Sequence, residues 1–401
     1  PFQAACLDGR ARQSRHLGRS IGHAAPGPGR ITAAGGLILS GLCLADGKRR
    51  LERGVKLLQA ELAAQVLPDG GHVGRNPSQH LAVLRDLVAL RDAMVLAQYL
   101  VPEALINAID RMAPLLRLYR HGDGCLALFN GALEEADGAV DLTLTRADAK
   151  GKALASAPYT HFQRLAARRT LMVFDTGAPP PAATGCSAHA GALSFELSIG
   201  RERLVVNCGA AEKQTGSWPK AMRATAAHST LTVADANSIS LDETGRLAGL
   251  LPLVSESRND AEGSTWIEAS HDGYQARFGV THRRRLYLDA SGDDIRGEDT
   301  LLGQGGGKAA TPFAIRFHLH PLVTASLVQN GVAVLLRLSS GAGFRLRAQG
   351  GRVSLEESIY LGDGGQQRRC EQIVIAGETE GPETTIKWAI TRLSPPTAGK
   401  E

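Results

Sequence analysis

Long apolar runs are missing from this 401-residue sequence. None reaches the roughly 18 residues that a membrane-spanning helix needs, so no transmembrane segment is expected and the sequence reads as globular. Paired cysteines are missing too. The six are scattered at 6, 43, 125, 186, 208 and 370 with no C-x-x-C, which excludes a zinc knuckle or thioredoxin-type site. Most read as buried free thiols, and Cys186 with Cys208 is the pair to test for a disulfide. Aromatics are scarce at 4%, against 46 Gly, so the glycines mark turns in a β-rich region. Charge of one sign is not dominant. The 45 basic and 40 acidic residues leave +5, compatible with an anionic partner such as an acidic polysaccharide. The basic residues are not concentrated in one stretch and carry no nucleic-acid motif, so no nucleic-acid partner is expected. The sequence opens on Pro1, without a signal peptide, in helix-forming residues 10–17. A missing N-terminal portion is therefore expected.

The first part reads as helices. Residues 30–45 and 49–66 have helical composition, and Leu51, Val55, Leu58 and Leu62 share one face of the second. Pro68, Gly70, Gly71, Gly74 and Pro77 break the helix, and Ser78 is the expected N-cap of the next, over 79–98. Its stripe is Leu81, Leu84, Leu87, Val88 and Val95. Another helix is expected over 102–119 with Pro102 in its first turn and Leu105, Ile109, Met112, Leu115 and Leu116 inward. Such hairpins suggest an array of paired helices. After Tyr119 the sequence is a Gly-rich connection, and from Tyr159 it is β. Short strands are expected at 170–175, 193–199, 203–207, 229–235, 283–289, 313–320, 332–339, 344–348 and 384–393. Ile386, Trp388 and Ile390 alternate with polar residues as in a half-buried strand. Loops are expected at 177–185 and 301–312. This pattern predicts an antiparallel sandwich.

One stretch stands out, residues 188–228. Two strands would carry His189 and Asn207 to one end of a sheet, and the following loop would return His228 to it. Together with DGGHVGRNP (69–77), AHAGALSFELS (188–198), LVVNCG (204–209) and RATAAHSTL (223–231), it resembles the heparinase II/III-like family of polysaccharide lyases. The resemblance implies an α+β multidomain fold, with an (α/α) toroid followed by a large antiparallel β-sandwich. Here the toroid would be partial, over 1–120, with a linker over 121–158 and the sandwich over 159–395. It implies β-elimination on uronic-acid glycans in a cleft between the two parts, and a periplasmic or cell-envelope location.

That chemistry needs the uronate carboxylate neutralised, a base for the C5 proton and an acid for the leaving oxygen. His72, Arg75 and Asn76 share one loop suited to grip a carboxylate, Arg bidentately; the alternative is that they only shape the turn. Tyr159 with His161, and Tyr274 beside His271 and Asp272, are acid and base candidates. For the latter the alternative is a turn built on Asp-Gly. Arg223 and Arg283 are candidate substrate cations, although in His282–Arg285 alternate residues face opposite ways. His80, and the pair His318 and His320, read as structural. The resemblance also implies zinc on His189, Asn207 and His228. Relatives carry an Asp where Asn207 stands, a catalytic His at Ser187 and an Asp at Gly191. With those departures His189 remains a catalytic candidate, and a glycan-binding or scaffold protein that has lost the chemistry is the second reading.

Overall fold

The computed structural model describes residues 2–181, 184–303 and 310–393. Helices come first: α1 (Phe2–Ser20), α2 (Pro28–Cys43), α3 (Lys48–Gln65), α4 (Pro77–Leu96) and α5 (Glu103–Leu118). Of these, α2 and α3 pack antiparallel, Gly41 lying against Leu51 and Ile38 against Gly54. A Cβ on Gly41 would meet Leu51 N at 2.6 Å and one on Gly54 would meet Ile38 Cγ1 at 2.8 Å, so only glycine lets α3 lie this close to α2. The N-cap of α4 is not Ser78 but Asn76, whose Oδ1 accepts from Gln79 N–H at 3.0 Å, with Pro77 at the first helical position. Proline's fixed φ and absent N–H suit that position, which moves the cap two residues earlier. Likewise Pro102 caps α5 rather than entering it. The expected stripes are buried except at Val95, which the last turn of α4 leaves 61% exposed, and Val55, which is half-buried. The connection at 121–158 has a helix of its own, α6 (Ala139–Arg146), and buries Leu126, Leu128 and Phe129.

The strands follow in chain order. They are β1 (Ser156–Ala157), β2 (Phe162–Ala167), β3 (Thr170–Asp175), β4 (Phe195–Ile199), β5 (Glu202–Val206), β6 (Leu231–Val233), β7 (Ser240–Leu241) and β8 (Leu247–Ala248). Then come β9 (Val254–Ala261), β10 (Ser264–His271), β11 (Val280–Leu288), β12 (Asp294–Gly303), β13 (Pro312–Leu319) and β14 (Thr324–Val328). The last are β15 (Ala333–Arg337), β16 (Gly343–Gln349), β17 (Arg352–Tyr360), β18 (Arg368–Glu378) and β19 (Glu383–Arg392). A short helix α7 (Trp218–Arg223) precedes β6, and the single turn α8 (Gln275–Phe278) joins β10 to β11. The loop expected at 301–312 is shorter: β12 extends to Gly303 and β13 starts at Pro312, with 304–309 outside the described residues.

Two large sheets result. The first runs β1-β2-β3-β4-β5-β13-β18-β17, with β6 paired to β13; the second runs β14-β15-β16-β19-β12-β11-β10-β9. The helices cover one face of the first sheet, so β3 is buried on both sides, and Phe162 and Val173 belong to the helical core. Its other face meets the second sheet, where Trp388 stacks on Phe195 at 5.6 Å and meets Phe317 edge-on at 4.9 Å. Ile386, Trp388 and Ile390 all point into this core; each fully buried apolar side chain of this size is worth ~1.5–3 kcal/mol. A polar knot crosses it. Arg284 Nε and His282 Nε2 donate to Asp299 Oδ1, both at 2.7 Å, and Trp388 Nε1 donates to Oδ2 at 2.9 Å. Although burial alone would raise it, Arg284 and His282 hold the Asp299 carboxyl far below the usual range.

Candidate polar site at the helix–sandwich junction

The loop 66–76 enters the sandwich through two carboxylate clasps. Asp69 accepts from Thr160 Oγ1 and Thr160 N–H, both at 2.7 Å, and from Tyr159 N–H at 2.8 Å. Arg75 pairs with Asp175, donates to Thr160 O at 2.8 Å and to the carbonyls of His161 and Ala178, and lies 4.8 Å over the Phe162 ring. Every nitrogen of this guanidinium is committed, and both partners of the pair are buried. Arg75 thus grips a carboxylate as its chemistry suggests, but the carboxylate is the protein's own.

His72 is also spent inside its loop. Nε2 donates to Gln65 Oε1 at 3.1 Å, Nδ1 accepts from Gly74 N–H at 3.1 Å, and burial lowers its pKa to about 4. Tyr274 is not an acid at a cleft. It lies in the sandwich core, donates to Leu231 O at 2.8 Å, and burial pushes its hydroxyl pKa up. Tyr159 points to solvent, 57% exposed, anchored only by its backbone. Arg283 sits on the outer face of the second sheet beside Glu383 at 3.4 Å, because alternation on β11 sends only His282 and Arg284 inward. His80 donates to Met112 O, and His318 bridges Ser358 and Ala226 O, both as structural residues. The cysteines are all free, as expected of most, but they depart in burial: Cys208 alone is buried, and Cys186 is exposed.

What does converge is Asn76, Gln79, Asn130, Ser187, His189, His228 and, at the rim, Arg223. Besides capping α4, Asn76 donates from Nδ2 to Asn130 O at 2.8 Å and Ser187 Oγ at 3.2 Å, and Gln79 Nε2 donates to the same hydroxyl at 3.0 Å. Ser187 Oγ therefore accepts twice and has its proton free to donate. Asn130 holds the loop by donating to Arg75 O at 3.0 Å and accepting from His189 N–H at 3.3 Å. His228 Nδ1 lies 2.9 Å from Ala224 O, which can only accept, so that nitrogen carries the proton. His228 Nε2 is then an acceptor for His189 Nδ1–H at 3.1 Å, which leaves a lone pair on His189 Nε2. That nitrogen faces Gly131: a Cβ there would lie 3.4 Å from it and 3.2 Å from Ser187 Cβ. Burial, then the neighbouring His228 and Arg223, push His189 well below an ordinary imidazole, and burial takes His228 to about 4. Both rings are neutral at pH 7. Arg223 is half-buried, donates to Gly245 O at 3.3 Å and forms no ion pair among the described residues.

Zinc does not fit this arrangement. The two imidazole nitrogens that would face an ion instead share one proton. Asn207 Oδ1 accepts from Ser229 N–H at 3.0 Å and Nδ2 donates to Leu128 O at 3.2 Å, so its amide is turned to the backbone. A Cβ on Gly191 would lie 2.6 Å from His228 Cδ2, so the ring occupies the space a carboxylate side chain would need. Among the described residues no three His, Cys, Asp or Glu side chains are grouped to hold a metal.

Sequence reasoning passed over Glu196, Asn130 and Asp69. Glu196 is fully buried on β4, where it accepts from Asn207 N–H at 2.8 Å and His121 Nε2 at 3.0 Å. A single carboxylate inside the apolar run LSFELSI was its available signal. Asn130 and Asp69 had none, since the partners that tie them to other elements lie more than fifty residues away.

Comparison with known proteins bears on this geometry. The family description "Heparinase II/III-like, C-terminal" matches residues 149–389. FtsZ-localized protein C of Caulobacter vibrioides is 34% identical over 400 residues, covering 95% of this chain and 68% of that protein. The solved structure of heparinase III superposes with a TM-score of 0.79 at 14% identity, over 98% of this chain and 65% of that one. The heparan sulfate lyase HepC from Pedobacter heparinus gives 0.75 at 14%, over 99% and 64%. The chain thus spans slightly less than two thirds of the length of these two solved proteins, and at such identities they attest the fold. Helical hairpins, antiparallel sandwich and sequence agree: this chain belongs to the heparinase II/III-like family.

Proposed function

We propose that this chain is a glycan-recognising member of its family, which binds acidic polysaccharide at the helix–sandwich junction without cleaving it. The carrying observation is the His189–His228 pair. Its shared proton and deep burial give an imidazole of low proton affinity, whereas a general base works best with a pKa near the working pH. The resemblance places a catalytic His where Ser187 stands, and Ser187 is a neutral donor. Arg223, with no carboxylate paired to it among the described residues, supplies a cation for a uronate at the rim. The names of the similar proteins support the class of ligand, heparan sulfate being the substrate named for one of them. The name FtsZ-localized protein C describes a location rather than a reaction, which supports a binding role.

A second reading, a lyase acting on uronic-acid glycans by β-elimination, is favoured by one observation: the open lone pair of His189 Nε2 beside Ser187 and Arg223. One assay separates the two. Incubation with heparan sulfate, heparin or alginate is expected to give retention of the glycan and no unsaturated product absorbing in the ultraviolet. Product formation that disappears in His189→Ala would establish the lyase and overturn the binding-only reading.

A further inference from the structure

The outer face of the second sheet, remote from the junction, carries a groove of about 630 Å3. Its floor is one cross-strand row. Register places Arg347 beside Ala389, Ala389 beside Arg296, Arg296 beside Tyr287, and Tyr287 beside Trp266. Five strands at ~4.8 Å spacing make this row ~19 Å long, the size of an oligosaccharide rather than a single sugar. The small Ala389 forms the low point. At one end Trp266, 46% exposed in a protein with three Trp, meets Tyr287 at 5.8 Å between ring centroids and a 55° tilt. At the other end Arg347 bonds only Gln329, at 3.4 Å, and Arg345 in the next row has no partner among the described residues; its Nε is buried and unsatisfied.

We propose that this groove is a second carbohydrate site, which takes a polysaccharide carrying carboxylates or sulfates. Five cations line it against two carboxylates, in a chain whose net charge is +5. Arg285 pairs with Glu268 as well as Glu298, Lys387 shares Glu298, and Arg296 pairs with Asp294, so three carboxylates offset these three cations. The excess positive charge therefore sits on Arg345 and Arg347. Neither guanidinium is paired with a carboxylate among the described residues, and the planar fork matches carboxylate or sulfate. The aromatic end offers a flat apolar surface to a sugar ring. A glycan suits this mixture better than a nucleic acid. Duplex DNA presents one charge per ~1.7 Å of axis, which Asp294 and Glu298 within the groove would oppose, whereas sugar hydroxyls donate to those carboxylates.

The test uses affinity electrophoresis and titration calorimetry with heparan sulfate, alginate, neutral amylose and duplex DNA. Two groove variants, Trp266→Ala and Arg345→Ser/Arg347→Ser, are compared with a junction variant, Arg223→Ser. The double variant is expected to lose at least about tenfold in affinity for one of the acidic glycans, the scale of a charged hydrogen bond. Trp266→Ala should weaken the same glycan, salt should weaken it further, and the melting temperature should not move. The groove shares no residue with the junction, so the two losses separate: Arg223→Ser should leave groove binding intact. Acidic-glycan affinity unchanged in both groove variants would overturn the proposal. So would binding of duplex DNA, but not glycan, that the groove variants abolish.

Discussion

At Asn207 one amide serves two backbone groups, accepting from Ser229 N–H and donating to Leu128 O. An aspartate could do only the first and would bring a fully buried charge against a carbonyl oxygen. Asn207→Asp is therefore expected to destabilise the protein by at least ~2 kcal/mol, read as a lowered urea midpoint. Turned to the backbone, the Asn207 amide adds no ligand to the His189–His228 pair. Purified protein should contain no stoichiometric zinc, and a chelator should leave its melting temperature unchanged. One zinc per chain, together with a chelator-induced fall in melting temperature, would contradict this assignment. Three departures that looked separate in the sequence are linked here. Gly191 makes room for the His228 ring, Asn207 secures the backbone behind it, and Ser187 takes the two amides that face it.

Among the elements, the loop between α3 and α4 does the most to place the site. It holds the helical layer on the first sheet through Asp69 and Arg75, and it presents Asn76 to Ser187. Arg75 adopts a left-handed backbone, φ 51°, which non-glycine residues tolerate only when surroundings impose it. Arg75→Ala would leave Asp175 buried without its partner, a loss of ~3–5 kcal/mol. Arg75→Lys should recover only part, because an ammonium cannot reproduce the fork that reaches three carbonyls and a carboxylate. Chemical denaturation measures both, and an Arg75→Ala midpoint equal to wild type would refute the clasp. The 69–77 motif was legible as important, and its residue types were legible as carboxylate-binding. That the carboxylate Arg75 grips is the protein's own Asp175 was not, since Asp175 lies one hundred residues further on.

For the whole molecule, buried neutral histidines set the acid limit. His72, His80 and His228 are each lowered to about 4, burial being the largest cause. An unfolded histidine titrates near 6.5. As pH falls through that value the unfolded chain takes up protons that the folded one refuses until about 4. Stability should therefore be level from pH 8 to 7 and fall steadily between about 6.5 and 4, by roughly 1.4 kcal/mol per pH unit for each such histidine. Thermal melts across that window test it; a constant melting temperature down to pH 4.5 would contradict it.

The sequence by itself determined the order of helices then strands, most of the apolar stripes and the family, because periodicity and short motifs are local. It also determined that β11 must divide its basic run between two faces. Tertiary structure decided what the polar residues do. Burial and long-range partners turned His72, Arg75 and Tyr274 into internal braces, since a buried donor or charge must be satisfied by whichever group the fold brings near. The same pleating gathered Arg296, Arg345, Arg347 and Lys387 from three strands into one groove, a concentration of charge that no contiguous stretch of the chain displays.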